Sequence, residues 1–351
     1  HGNGRERTKF GLHYVVINLI GSSLFLFAVG TLYGILGTLN IADMAIKVST
    51  LSPENMGVVA AGGLLLLLVF GLKAAMFPLY FWLPGAYSTT SAPIAALFAI
   101  MTKVGVYAII RVHGVIFGAK AGALSYYHLP WVLGLGLITL ILGTFGVMSS
   151  KRLKEQIAYL VLTSIATLLI AVGINTPSAL SGALYYMIHS TVIAGGFFLF
   201  ADTLSHLRGE YEDKIVRTPI FRNIILCGGV YFLYAIAMAG MPPLSGFFGK
   251  MMILSGSMSS SLGWLVFGVV LLSSLGIIVS LTMVGSKVFY HTNSERPLLK
   301  RAPFYLFYPS FYFLALGLIL VIFANPVSTF TNETADMIYD VSTYISTVEV
   351  R

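Results

Sequence analysis

The chain has 351 residues, of which 57% are hydrophobic and 10% charged, with a mean hydropathy of +0.87. Soluble domains carry about 25% charged residues, so this composition excludes a soluble enzyme or binding module and indicates an integral membrane protein. The single cysteine, Cys227, excludes a disulfide framework, a thiolate zinc site or an iron–sulfur cluster built within the chain. In a membrane protein the net charge of +8 is first a question of sidedness, and nucleic acid is not expected as a partner.

A spanning helix needs about 20 predominantly apolar residues. By that measure the sequence predicts nine crossings, at residues 12–38, 57–84, 92–111, 130–149, 155–173, 178–200, 222–256, 263–286 and 304–325. The first run is too long for a cleaved signal peptide, and the chain opens on His1, so the expectation is a nine-helix membrane domain (1–325) with further helices upstream. Residues 326–351 form an external tail, in which Phe330, Met337, Val341, Tyr344 and Val348 fall at helical spacing, as in an interfacial amphipathic helix in contact with lipid.

Nine crossings place alternate loops on opposite sides. The side of the N-terminus collects 14 basic residues, Arg5, Arg7, Lys9, Lys151, Arg152, Lys154, Arg208, Lys214, Arg217, Arg222, Lys287, Arg296, Lys300 and Arg301. The other side holds Lys47, Arg111, Lys120 and Arg351. Such a bias in short loops marks the cytoplasmic side. The N-terminus of this chain is therefore expected inside the cell inner (plasma) membrane and the C-terminus outside.

Lys73, Lys103 and Lys250 remain, inside the apolar runs, and no acidic residue accompanies them there. A lysine near the bilayer centre costs about 2.5–3.5 kcal/mol on the most lenient scale. Lys103 lies about 17 Å along its helix from the nearer upstream end, at 1.5 Å per residue, too deep for simple snorkelling. Desolvation favours the neutral amine and a neighbouring anion the ammonium, so such a group can be switched by its surroundings, as a proton relay requires.

Two of the three lysines sit at helix breaks. Lys73 precedes "FPLYFWLPGA", where Pro78 and Pro84 remove donors, and Lys250 follows "AGMPPLSGFFG", with Gly240, Pro242, Pro243 and Gly246. The run 222–256 would be about 52 Å long as one helix, against a hydrocarbon core of about 30 Å, so it is expected in two pieces. The second and seventh crossings run in opposite directions, the arrangement of paired interrupted helices at the ion site of an inverted-repeat transporter. His189, mid-run in the sixth crossing, suits a relay between lysines. The other histidines near membrane ends or in loops, His13, His113, His128, His206 and His291, are read as interfacial. No metal-binding pattern, phosphate loop or nucleophile elbow is present, and no cofactor is expected.

The stretch "GLKAAMFPLYFWLPGAYSTTSAPIAALFAIMTKVGVYAIIRV" (71–112) and the motif "MPPLSGFFGK" (241–250) resemble the antiporter-like proton-translocating subunits shared by respiratory complex I and Mrp-type sodium/proton antiporters. Within that family the chain is most similar to the D-type subunits of the Mrp branch. The resemblance implies an all-α integral membrane fold, a multi-helix inverted-repeat bundle with two broken transmembrane helices, of which this chain would lack about five upstream helices. It implies a proton pathway of Lys73, Lys103, His189 and Lys250, and an upstream glutamate as the partner of Lys73. It implies other membrane subunits of a hetero-oligomeric antiporter as partners, with protons and monovalent cations as the transported species. One departure is Ala194, where relatives often carry a lysine five residues after the histidine. Two further readings stay open: a proton-pumping arm of a quinone-reducing or hydrogenase-type complex, and a scaffold that no longer conducts.

Overall fold

The computed structural model describes residues 4–298 and 303–349; His1, Lys300, Arg301 and Arg351, which enter the sidedness count and the reading of the chain start, lie outside them. The helices in chain order are α1 (Arg5–Leu36), α2 (Ile41–Ser49), α3 (Pro53–Lys73), α4 (Trp82–Thr89), α5 (Ala92–Val115), α6 (Leu129–Ser149) and α7 (Leu153–Ile174). They continue with α8 (Pro177–Arg208), α9 (Ile224–Ala239), α10 (Ser245–Ser257), α11 (Gly263–Gly285), α12 (Tyr308–Ile322), α13 (Ala324–Tyr339) and α14 (Val341–Glu349). Among the described residues, eight helical stretches are long and apolar enough to cross a membrane. The seventh expected crossing is divided between α9 and α10, as the length argument required.

Local chemistry sets the ends. A proline stands in the first turn of α3, α5, α6, α8 and α12, where its missing N–H costs nothing. Asn40 caps α2 by accepting from the Ala42 amide at 3.0 Å, and Thr176 caps α8 by accepting from Ala179. Asn175 closes α7 in the left-handed conformation, φ 58°. α7 is apolar all round and buried almost throughout, so it forms the centre of the bundle between α6 and α8. α1, largely exposed in this chain, flanks α3 and α4.

Three features depart from the sequence-based expectations. A short parallel pair, β1 (Pro219–Phe221) and β2 (Asn293–Leu298), joins the loop before α9 to the loop after α11. A bridge from Arg152 to Lys214 joins the α6–α7 and α8–α9 connections. Such pairing needs those loops on one side, the parity that the crossing count assigned them. Second, the crossing expected at 57–84 ends as a helix at Lys73. Pro84 falls in the first turn of α4, where proline is tolerated, so it opens the next helix and does not break the previous one.

Third, the tail is two helices that bend at Asp340, whose φ is −85° and ψ 70°. Thr331 and Ala335 are buried against α8, while Phe330 and Met337 of the expected stripe stand exposed. Polar contacts fix this orientation. The hydroxyls of Ser181 and Thr331 lie 2.9 Å apart, and the Tyr339 hydroxyl donates to Asn175 Oδ1 at 3.0 Å. In α14, Val341 is buried, and Tyr344 lies under the Arg111 guanidinium at 4.3 Å.

Candidate functional site

A helix ends with four carbonyls that lack an intrahelical donor, and its C-terminus carries partial negative charge. At the end of α9, Gly240 turns the chain with φ 73°, a conformation that favours glycine. Two carbonyls of this end receive side chains from other helices, that of Ala237 while also accepting from the Gly240 amide at 3.1 Å. The Ala239 carbonyl accepts from Lys250 Nζ at 2.7 Å, and the Ala237 carbonyl accepts from His189 Nε2 at 3.1 Å. Lys250, mid-way along α10 and nearly fully buried, also donates to Ser274 Oγ of α11 at 3.2 Å. Thus the break that the proline-glycine motif encodes supplies the acceptors for two titratable groups.

The same motif sets the spacing. A Cβ on Gly246 would lie 2.6 Å from His189 Nε2 and 2.7 Å from the Ala237 carbonyl oxygen, and one on Gly240 would lie 2.8 Å from Cδ of Lys250. Both glycines are therefore required by close approach. Pro242 and Pro243 are exposed in the linker between the half-helices and touch neither titratable group directly; they keep α9 from continuing into α10.

His189 is hydrogen-bonded in either protonation state. Nε2 faces a carbonyl, which can only accept, so that nitrogen carries a hydrogen. Nδ1 lies 2.7 Å from Ser245 Oγ, which also stands 3.3 Å from the Gly317 carbonyl of α12. With neutral His189, the Ser245 hydroxyl donates to Nδ1. With the imidazolium, Nδ1 donates to Ser245 Oγ and the hydroxyl turns to Gly317. One rotation of one hydroxyl accommodates the proton, with no buried donor left unpaired.

The first break is built differently. Lys73 is the last residue of α3 and only partly buried, and it donates to Asn18 Oδ1 of α1. The carbonyls at this end are taken by other donors: Leu72 by the Trp82 indole N–H and the Ala75 amide, both at 3.1 Å, and Gly71 by the Met76 amide at 2.8 Å. The amide of Phe77, beside the exposed Pro78, donates to Thr139 Oγ1 of α6 at 2.9 Å. A cavity of about 540 Å3 between α1, α3 and α5 opens beside Lys73.

Lys103, on α5, is 2% exposed, and its ammonium has no hydrogen-bond partner among the described residues. α5 approaches the first break closely, since a Cβ on Gly105 would lie 2.5 Å from the Ala74 amide nitrogen. α5 also packs on α8, the helix that carries His189. Ala194, at the position where the chain departs from the family pattern, is fully buried and apolar. None of the three lysines forms an ion pair among the described residues. Asp202, the acidic residue nearest the apolar runs, is paired with Lys154 at 3.0 Å.

Sequence reading missed Asn18, Ser245 and Ser274. Asn18 carried a signal, an amide in the middle of a charge-free run; the two serines did not, because hydroxyls are common in membrane helices. It also misplaced two histidines. His113 and His128 are not interfacial but wholly buried, with ring centroids 4.9 Å apart, because α14, α2 and the 116–128 connection fold over that end of α5.

The family model described as NADH:quinone oxidoreductase/Mrp antiporter, TM matches residues 2–276. The chain is 35% identical to a probable K(+)/H(+) antiporter subunit, of the D type, from Rhizobium meliloti (strain 1021), over 96% of the chain and 67% of that protein. It is 36% identical to the corresponding Na(+)/H(+) antiporter subunit of Bacillus subtilis (strain 168), over 99% of the chain and 69% of that protein. Among solved structures, the fold is shared with a chain of the Mrp complex from Dietzia sp. DQ12-45-1b, with TM-score 0.82 and 21% identity, covering 97% of this chain and 70% of that one. It is also shared with a chain of respiratory complex I from Thermus thermophilus, with TM-score 0.81 and 24% identity, covering 96% and 70%. A match over most of its length, together with the motifs that put Lys73 and Lys250 at helix breaks, makes this chain a multi-pass member of the NADH:quinone oxidoreductase/Mrp antiporter membrane family.

Proposed function

We propose that the chain is the proton-conducting subunit of a multisubunit monovalent cation/proton antiporter of the inner (plasma) membrane, a transporter subunit with no cofactor of its own. Protons pass along Lys73, Lys103, His189 and Lys250, with the N-terminal side of the chain cytoplasmic. The observation that carries this reading is His189: it shares the carbonyl cluster at the end of α9 with Lys250 and has a hydroxyl relay that accepts either protonation state. Charge on one member disfavours charge on the next, so protonation proceeds stepwise along the row. Lys73, with only Asn18 beside it here, is read as pairing with a carboxylate outside these residues, as the family resemblance implies.

Membership of an antiporter, as opposed to a redox-driven pump, is supported by the 35–36% identity to the two antiporter subunits. The scaffold reading rests on Ala194, and the three retained lysines speak against it. In vesicles carrying the assembled complex, Lys250→Ala is expected to abolish cation-dependent proton exchange, a loss of about 100-fold or more, with assembly intact. Undiminished exchange by an assembled Lys250→Ala complex overturns the assignment.

A further inference from the structure

The pathway leaves two buried titratable groups unused. His113, in the last turn of α5, and His128, just before α6, are both 0% exposed. Among the described residues neither ring nitrogen of His113 has a hydrogen-bond partner, nor has Nδ1 of His128, while Nε2 of His128 lies 3.1 Å from the Ala60 carbonyl of α3. A carbonyl only accepts, so Nε2 of His128 carries a hydrogen and Nδ1 is left free to take another. Three unpartnered imidazole nitrogens in one buried pocket are costly for packing alone. Apolar side chains of the same size would fill the space without that cost. Packing does favour a planar ring there: His113 stacks on Phe117 at 5.7 Å, and His128 meets Phe117 at 4.5 Å. A Cβ on Gly63 would fall 2.5 Å from the His128 ring, so α3 leaves room for an imidazole at this point.

Position gives the pair its meaning. Lys103, Val106, Ile110 and His113 lie on one buried stripe of α5, at spacings of three, four and three residues. The more direct link runs through α3. Phe70, one turn before Lys73, stands with Lys73, Gly105 and Ala108 in the wall of the 540 Å3 cavity. Its ring also meets His113 edge-on at 6.4 Å. That cavity has room for several waters, each occupying about 30 Å3, and one aromatic ring separates it from His113. Beyond His128, the neighbouring Tyr127 is half exposed. The file Lys73, cavity, Phe70, His113, His128, Tyr127 therefore leads from the first break to the end of the bundle where α5 finishes and α6 begins.

We propose that His113 and His128 form a proton port that connects the Lys73 cavity with the aqueous face at the α5–α6 connection, with Phe70 as its gate. The proposal rests on the proton-pathway reading and adds where protons enter or leave at the Lys73 end. At 4.9 Å between centroids the rings can share a proton through a small side-chain rotation or one bridging water. The proton moves from a hydrated donor in the cavity to His113, then to Nδ1 of His128, and is released to water near Tyr127; no bond other than N–H and O–H is made or broken. No ion-paired group holds the pair in place among the described residues. Arg111 of α5 is turned to Tyr344 of α14, and Lys47 and Asp43 of α2 pair with each other at 3.2 Å. Lys73 lies one turn beyond Phe70 on α3, Tyr126 and Tyr127 belong to the connection that covers the pair together with Lys120, and no carboxylate contacts either ring among the described residues.

The test uses the assembled complex in vesicles and compares wild type, Lys250→Ala, and the double variant His113→Gln with His128→Gln, which keeps hydrogen-bonding amides but cannot titrate. The port predicts at least about tenfold slower exchange in the double variant, with an altered pH profile. A wild-type rate and pH profile in the double variant, alongside loss of exchange in Lys250→Ala, overturns the port and leaves the pathway standing. Full exchange in Lys250→Ala instead overturns the pathway, and the port with it. Should the double variant not assemble, nitrogen-15 spectra of histidine-labelled wild-type complex decide: the port requires that both rings gain and lose a proton as pH is varied, and rings fixed in one neutral form overturn it.

Discussion

The two helix breaks share a sequence pattern, a lysine beside prolines in an apolar run, yet they use their backbone in opposite ways. At the α9–α10 break the lysine follows the interruption, so its stem folds back onto the helix end and its ammonium meets the freed Ala239 carbonyl. At the α3–α4 break the lysine is the last helical residue and points away from its own carbonyls, which the Trp82 indole and backbone amides have already taken. The order of lysine and proline thus decides whether the ammonium bonds a carbonyl at the helix end or turns to another helix. The negative end of a helix contributes up to about 2 kcal/mol to a partly buried cation; Lys73, in the last turn of α3, and Lys250, against the end of α9, both stand at such an end, and of the two Lys250 adds the carbonyl bond.

The largest expected effect tests the close packing at the α9–α10 break. Gly246→Ala places a methyl 2.6 Å from His189 Nε2, so the imidazole must leave the Ala237 carbonyl. Exchange is expected to fall by about 100-fold, as when a positioned acid–base group is lost. Blue-native electrophoresis serves as the assembly control, because the methyl also falls 2.7 Å from the Ala237 carbonyl oxygen and presses on the backbone of α9. Normal exchange would mean that His189 does not need the α9 carbonyl, and the contrast between the breaks would lose its functional content.

A smaller effect is expected from Ser245→Ala. It removes the acceptor that the imidazolium needs at Nδ1 and leaves the neutral ring with a free lone pair, which is tolerable. The penalty falls on the charged form and amounts to about 1–2 kcal/mol, roughly a tenfold slowing of exchange that fades toward acid, where the ring is protonated in either variant. Ser245→Thr retains the hydroxyl and should restore most of the rate. Equal loss in the two variants would point to packing and not to the proton relay.

These contrasts explain what the sequence could disclose. The crossings were legible because bilayer thickness imposes a length and a polarity on every span. The lysines and the α9–α10 break were legible because a buried charge and a proline pair each violate that rule visibly. Partnership was not. Whether Lys73 faces a carbonyl or Asn18 depends on which way α3 ends, and the fourth residue of "LKAAMFP" gives no sign that the helix has already stopped at Lys73. His113 and His128 were misread for a related reason. Their distance from the helix centre looks interfacial, and their burial comes from α14, α2 and a connecting loop far apart in sequence. The tail was half legible: its helical period is real, but the bend at Asp340 shifts the phase, and small polar residues such as Thr331 pack inward because they hydrogen-bond across to α8.

The smallest expected effect belongs to the other break. Asn18→Leu removes the hydrogen bond to Lys73, and the corresponding loss at Lys250 would leave a buried ammonium facing only Ser274. Lys73, however, is partly exposed to a cavity of about 540 Å3. Water admitted there can replace the amide, and an exchanged hydrogen bond of this kind is worth only about 0.5–1.5 kcal/mol. Asn18→Leu should therefore slow exchange no more than about threefold and leave its pH profile in place. A loss as deep as that of Gly246→Ala would show that the Lys73 ammonium depends on Asn18 as strictly as Lys250 depends on the α9 carbonyls. In that case the two breaks, despite their different geometry, would hold their lysines with equal stringency.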